Sequence, residues 1–311
     1  MAADARRSRV RALTVVSGGS LALVLGACGA IGPAGSDVVV VTSVTTITPG
    51  SPSQGGVRED PPQPVGTPTE ATPRSDPMPP TAGGLDNLVA AAAGITGIAV
   101  TPVGGGAPVD AAGAWTTGVA WSTIKVSLAV AAARASPQAL EASASAITSS
   151  DNAAAQALWD GLGGGGTSAA AVGAVLAEGG DPTSQVPSQT TRPGYTTFGQ
   201  THWALTDQAR FGSRLPCLGG AGRVVDLMGQ IAPDQRWGLG RIPGARFKGG
   251  CGPGETGGYL VRQFGVVPAA GGDVAVAIAT DAPSFEAGIA TLSGVANALA
   301  PRLAAMPGGF C

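Results

Sequence analysis

Lysine is almost missing from this 311-residue chain: of 18 Lys+Arg, only Lys125 and Lys248 are lysine. Arginine keeps its charge at any accessible pH, whereas a buried lysine can shed its proton and serve as a base. A chain that meets its plain need for positive charge with arginine, yet keeps lysine at two places, points to amine chemistry there. Histidine is rarer still. His202 stands alone beside Trp203 near a helix start, and reads as a partly exposed polar contact rather than a base. Aromatic residues make up only 4% of the chain, against 50 Gly and 25 Pro, so part of the length is expected to lie outside any packed core. No apolar run is of membrane-spanning size: Ala12 to Leu25 is too short to cross a bilayer comfortably.

That short run has a different use. Arg6, Arg7, Arg9 and Arg11 precede it, the pattern of a secretory signal peptide. It ends in Leu25-Gly26-Ala27-Cys28, which resembles the lipobox of bacterial lipoproteins. The resemblance implies cleavage before Cys28, lipidation of its thiol, and an extracytoplasmic protein held to the cell membrane by lipid. Without residues 1–27 the chain has 14 basic and 19 acidic residues, a formal net charge of −5. That balance excludes a basic surface for nucleic acid.

Residues 28–84 are rich in Pro, Gly, Ser and Thr, with eleven prolines between Pro33 and Pro80, and are expected to form an extended tether. A folded domain is expected over 85–311. Its pattern predicts a helix over Leu85 to Ala93, strands over Gly97 to Val103 and Ala111 to Val119, and a buried helix opening at Ser122. Further helices are expected over Pro137 to Ile147, Ala169 to Glu178, Leu205 to Leu215 and Gly222 to Ile231. Gly161 to Gly166 is a break, and Asp181 to Gln200 a polar loop. Strands over Ala245 to Gly250, Tyr259 to Val267 and Asp273 to Thr280 precede a closing helix from Phe285 to Ala305. This order suits an α/β chain of α+β type: one antiparallel five-stranded sheet built from both chain ends, flanked by helices, with an all-α lobe inserted. Trp115, Trp121, Trp159, Trp203 and Trp237 are expected in the core or the cleft wall.

Three short stretches each answer a need of acyl transfer. Ser122 and Lys125 stand three apart, so that an amine with a lowered pKa can lie beside a hydroxyl. Ser150 can relay a proton to a leaving group, and Asn152 can hold a substrate amide. Lys248 can bind a carboxylate, while Gly249 and Gly250 let a substrate approach the backbone. The N–H groups of Ser122 and Cys251 would face a developing oxyanion. Asp151 is expected to be a buried hydrogen-bonding residue rather than an acid catalyst.

In this order Ser122-x-x-Lys125, Ser150-Asp151-Asn152 and Lys248-Gly249-Gly250 resemble the signatures of serine β-lactamases and penicillin-binding DD-peptidases. The segment from Ala146 to Ala154 is most similar to class A β-lactamases, and the likeness covers about 85–305. It implies a nucleophilic Ser122 activated by Lys125, with the roles above for Ser150, Asn152 and Lys248, and a β-lactamase-like fold with a reduced helical lobe. A monomer acting on a cell-wall peptide or small acyl substrate is expected, with no cofactor and no metal.

Two departures matter. Gly249 replaces the usual hydroxyl residue of the third motif. Between Asn152 and Thr206 the only acids are Asp160, Glu178 and Asp181, none in a Glu-x-x-Leu-Asn context. A chain without that deacylating carboxylate should acylate and release slowly, or else serve as an inactive binding module of the same fold. Of the cysteines, Cys217–Cys311 is the preferred disulfide, since it would tie down the tail and leave Cys251 free. Cys217–Cys251 is the rival, bracing the strand of Lys248.

Overall fold

A computed structural model describes residues 84–311. The expected signal peptide and all of the expected tether but Gly84 lie outside the described residues. The chain opens with α1 (Asp86–Ala90), β1 (Ile95–Pro102), β2 (Asp110–Gly113) and β3 (Thr117–Val119). A 3₁₀ turn over Trp121–Ile124 then leads into α2 (Lys125–Ala135), α3 (Ala139–Thr148), α4 (Asn152–Gly161) and α5 (Gly165–Glu178). After a long loop come β4 (His202–Ala204), α6 (Leu205–Arg214) and α7 (Gly222–Met228). β5 (Arg246–Pro253), β6 (Tyr259–Ala269), β7 (Gly272–Ala282) and α8 (Phe285–Leu299) complete the fold.

Five strands form one sheet in the order β2-β1-β7-β6-β5, every neighbouring pair antiparallel. The central strands β1 and β7 read as nearly unbroken runs of Val, Ile, Ala and Thr because helices cover both faces. Successive strand residues point to opposite sides. Accordingly Phe264 and Ala275 meet α6 at Gly212, while Val261 and Ala282 meet α8 at Gly288. β5 is left at the sheet edge, beside the Trp121–Ile124 turn.

The helical lobe packs around α2, which is buried from Lys125 to Ala132. Its Ala-rich sequence lets α3, α4 and α5 approach closely, and no face of α2 is left for solvent. The segment expected as one strand, Ala111 to Val119, is divided. Gly113, at φ +95°, ends β2, and β3 pairs with β4 in a separate two-stranded sheet. The glycine run expected as a break gives α5 its first turn. All five tryptophans are buried.

Cys217 and Cys311 are joined in a disulfide with Cα atoms 5.2 Å apart, inside the usual window. This excludes the Cys217–Cys251 alternative. The corollary that Cys251 stays a free thiol is corrected: no described cysteine is free, and Cys251 is itself disulfide-bonded. The expectation of one odd thiol followed from setting Cys28 aside for lipid on the lipobox resemblance, an assignment that falls outside the described residues.

Candidate active site

Ser122 lies in the 3₁₀ turn between β3 and α2. A 3₁₀ turn stacks residues three apart, so Ser122 and Lys125 share one side of the backbone. Trp121 enters the turn at φ +49°, a left-handed conformation rare for a bulky residue. Surrounding contacts hold it there. Thr123 Oγ1 donates to Ala120 O at 2.6 Å and accepts from Gln208 Nε2 at 3.0 Å. The indole lies over Gly252, where a Cβ would fall 2.5 Å from its ring atoms. A Cβ on Gly250 would fall 2.8 Å from Ser122 N and 2.9 Å from Ala120 O. Glycine at 250 and 252 is thus what lets the edge strand touch the Ser122 turn.

The residue that anchors this turn from behind was not legible as a site residue. Arg262 is fully buried on β6. Its Nη1 donates to the carbonyls of Gly118 and Val119 at 2.9 and 3.2 Å. Its Nη2 donates to Trp203 O at 3.1 Å and Gln208 Oε1 at 2.8 Å. The guanidinium therefore joins β3, β4 and α6 just ahead of Ser122, and burial lowers its pKa to about 9. The only sequence sign was a charge inside the apolar run Leu260-Val261-Arg262-Gln263-Phe264.

Lys125 heads α2 and is 1% exposed. Its Nζ donates to Ser150 O at 2.5 Å and Asn152 Oδ1 at 2.7 Å, and Ser150 Oγ lies 3.4 Å away. Lys248, fully buried on β5, donates to the same Ser150 Oγ at 2.9 Å and to Gly249 O at 2.9 Å. Ser150 itself sits at φ +57°, in the bend between α3 and α4. Desolvation pushes the Lys125 amine well below the ordinary lysine range. Lys248 pushes it in the same direction, with Asp151 opposing. Burial brings Lys248 down to about 7. Lys125, Ser150, Asn152 and Lys248 thus form one connected cluster. Ser122 Oγ makes no hydrogen bond among the described residues. Gly249 packs over Trp237, and Cys251 is paired with Val261 on β6.

Asp151 is placed differently from expectation. It is exposed and caps α4, its Oδ1 accepting from Ala153 N and Ala154 N at 2.7 and 3.0 Å. A carboxylate at a helix N-terminus is stabilised by the free amides there, which explains why it faces out.

The loop between α5 and β4 supplies the remaining wall. Its one acid, Asp181, turns inward to accept from the amides of Thr183 and Ser184 at 3.1 and 3.0 Å. The loop is organised around Gln200, whose buried amide uses both ends. Oε1 accepts from Thr191 N, Thr191 Oγ1 and Arg192 N, while Nε2 donates to the carbonyls of Arg192, Tyr195 and Thr196. Tyr195 then packs edge-on against Trp121 at 5.0 Å. His202 is exposed and pairs with Glu255 Oε1 at 3.1 Å.

The antiparallel five-stranded sheet beside a helical lobe has counterparts among solved structures, and the fold is that of the class A β-lactamases. A β-lactamase from Sphaerobacter thermophilus superimposes with TM-score 0.55 at 20% identity, over 73% of this chain and 98% of that one. An engineered variant of a reconstructed last common ancestor of Gram-negative class A β-lactamases gives 0.53 at 20%, over 72% and 100%. A class A β-lactamase from Mycobacterium abscessus gives 0.51 at 16%, over 69% and 97%. No protein-family model and no curated protein matches the chain by sequence. Identity at this level establishes the fold alone, so the chemistry has to be argued from the site.

Proposed function

We propose that this chain is an active-serine acyl-transfer protein of the cell envelope, which acylates on Ser122 and deacylates slowly or not at all. The observation that carries the reading is the buried run Lys125–Ser150–Lys248, two amines of lowered pKa meeting at one hydroxyl. A neutral amine has two hydrogens, and Lys125 has two short acceptors for them in Ser150 O and Asn152 Oδ1. Its lone pair is then left to take a proton, as general-base activation of a hydroxyl requires. Ser122 Oγ attacks the substrate carbonyl as its proton passes to Lys125. The oxyanion is received by the N–H groups of Ser122 and Cys251. Ser150 hands a proton to the leaving group and is recharged from Lys125. Lys248 holds the substrate's carboxylate, and Asn152 its amide.

Release of the acyl group needs a base that activates water, typically worth about 10²–10⁴-fold. The loop that would carry one has only Asp181, whose Oδ1 is held by its own turn and whose buried Oδ2 makes no hydrogen bond to Lys125, Ser150 or Lys248. Cell-wall peptides and small esters are the substrate class proposed, reached by a monomer. The lipid on Cys28 that the lipobox implies needs that thiol free, whereas a Cys251 disulfide within a monomer whose Cys217 and Cys311 pair with each other would consume it. The same missing carboxylate favours a second reading, an inactive binding module for wall peptides. A fluorescent penicillin decides between them. Stoichiometric, persistent labelling lost in Ser122→Ala supports the first, and no labelling leaves the second. Mass spectrometry of the Cys28 peptide tests the anchor: an acylated thiol is expected, and Cys28 found in a disulfide or unmodified would overturn it.

A further inference from the structure

Behind Trp121 lies a cavity that the acyl-transfer reading does not use. It measures about 550 Å³ and is walled by β3, β4, the 183–192 part of the loop, and Glu255 in the β5–β6 turn. Lys125, Ser150 and Lys248 do not line it; Trp121 is the wall it has in common with the Ser122 turn. The volume is in the range of small-molecule sites.

Its charges are unevenly matched. Glu255 is paired with His202. Asp207 is paired with Arg210 and accepts from Thr183 Oγ1 at 3.1 Å. Arg192 has no carboxylate partner among the described residues. Its Nη1 donates to Pro253 O at 3.0 Å, and its guanidinium is held 4.8 Å from the Tyr195 ring and 5.8 Å from the Trp121 ring. Stacking of this kind fixes the guanidinium plane, and a fixed planar cation recognises carboxylates in preference to other partners. Apolar surface from Val119, Trp121 and Pro187 faces the same space. The Gln200 amide pins the loop at residue 192 through both backbone groups, so the site is built before any ligand arrives.

We propose that this cavity binds a small organic monocarboxylate, its carboxylate on Arg192 and its aliphatic or aromatic body against Val119, Trp121 and Pro187. An inorganic anion would leave the apolar wall uncovered. A cation would meet Arg192, unpaired with any acid among the described residues, with Asp207 already engaged by Arg210 and Glu255 Oε1 in contact with His202 Nε2. The site is independent of whether Ser122 reacts.

The test is calorimetric titration of the full chain in a Ser122→Ala background, with octanoate and octanamide as probes. Octanoate is expected to bind and the uncharged amide to bind about tenfold or more weakly, the loss of a charge-assisted hydrogen bond. Arg192→Gln should weaken octanoate to the level of the amide, and Lys248→Ala should leave it within about twofold. Ala204→Trp, which fills the cavity from the β4 wall, should abolish binding of both with an unchanged far-ultraviolet spectrum. That variant decides the matter if Arg192→Gln fails to fold. Octanoate binding that survives Ala204→Trp or vanishes in Lys248→Ala overturns the proposal, as does equal affinity for the two probes.

Discussion

Lys248 sits between two demands. To hold a carboxylate it must be charged, yet burial brings its pKa to about 7. Its charge is therefore lost as pH rises through that value. The affinity of the Ser122→Ala variant for a carboxylate-bearing penicillin should fall above about pH 7, by at most tenfold per unit, as measured by equilibrium titration. Stability should move in the opposite direction. The unfolded lysine titrates near 10.5, so between about 7 and 10.5 the unfolded chain binds the extra proton and stability rises with pH. The slope from this residue approaches about 1.4 kcal/mol per pH unit. Urea unfolding midpoints at pH 7 and 9 should show the rise, and Lys248→Met should reduce it, leaving the part that the buried Lys125 contributes. Ser150→Ala removes the hydroxyl on which both amines converge. Labelling by penicillin should slow by about 10²–10⁴-fold, read by stopped-time gel fluorescence.

Between elements, the decisive contact is the edge strand against the Ser122 turn. At Gly250 the atoms a Cβ would meet are all backbone, those of Ser122, Ala120 and Thr123, and backbone cannot rotate away. Gly250→Ala should therefore cost about 1–3 kcal/mol and abolish labelling. Gly166 is the control: it lies in the first turn of α5 with nothing near its would-be Cβ. Gly166→Ala should stabilise by about 0.4–1 kcal/mol by restricting the unfolded chain, with labelling unchanged.

These contacts also mark how far the sequence could be read. Lys125, Ser150 and Lys248 were legible because amine and hydroxyl chemistry restricts residue choice to a few types in a fixed order. The strands β6 and β7 were legible through their largely apolar runs, interrupted in β6 by Arg262 and Gln263. Gln200 was not, because its partners are backbone groups of an irregular loop, and any sequence supplies those. Arg262 was hidden for a related reason, since a carbonyl-bound cation leaves no matching acid to notice. Asp151 was placed inside by its motif, while capping took it to the surface. The division of Ala111 to Val119 turned on one glycine's φ angle, which composition does not reveal.

At the scale of the whole molecule, the Cys217–Cys311 link closes a loop of 94 residues that contains α7, β5, β6, β7 and α8. In a chain-entropy account such a closure is worth about 4.7 kcal/mol through the unfolded state, and disulfides typically deliver about 2–4 kcal/mol. Cys311→Ser should lower stability by about that amount in denaturant titration while leaving penicillin labelling intact at 25 °C, because the cleft lies elsewhere.

The buried cations have one more consequence, and it concerns speed. Residues 84–311 hold twelve Lys and Arg against fourteen Asp and Glu. Lys125, Lys248 and Arg262 are inside, with Asp181 the one buried acid. The outer shell is left with nine positive and thirteen negative groups, so the domain is negative outside, while within the cleft Lys248 offers a positive charge only below about pH 7. A negatively charged visitor is repelled on approach and attracted only on arrival. Added salt screens the first effect, over about 8–10 Å, far more than the second. Association of an anionic penicillin should accordingly quicken with ionic strength while its dissociation barely changes, the reverse of an enzyme that steers its substrate in.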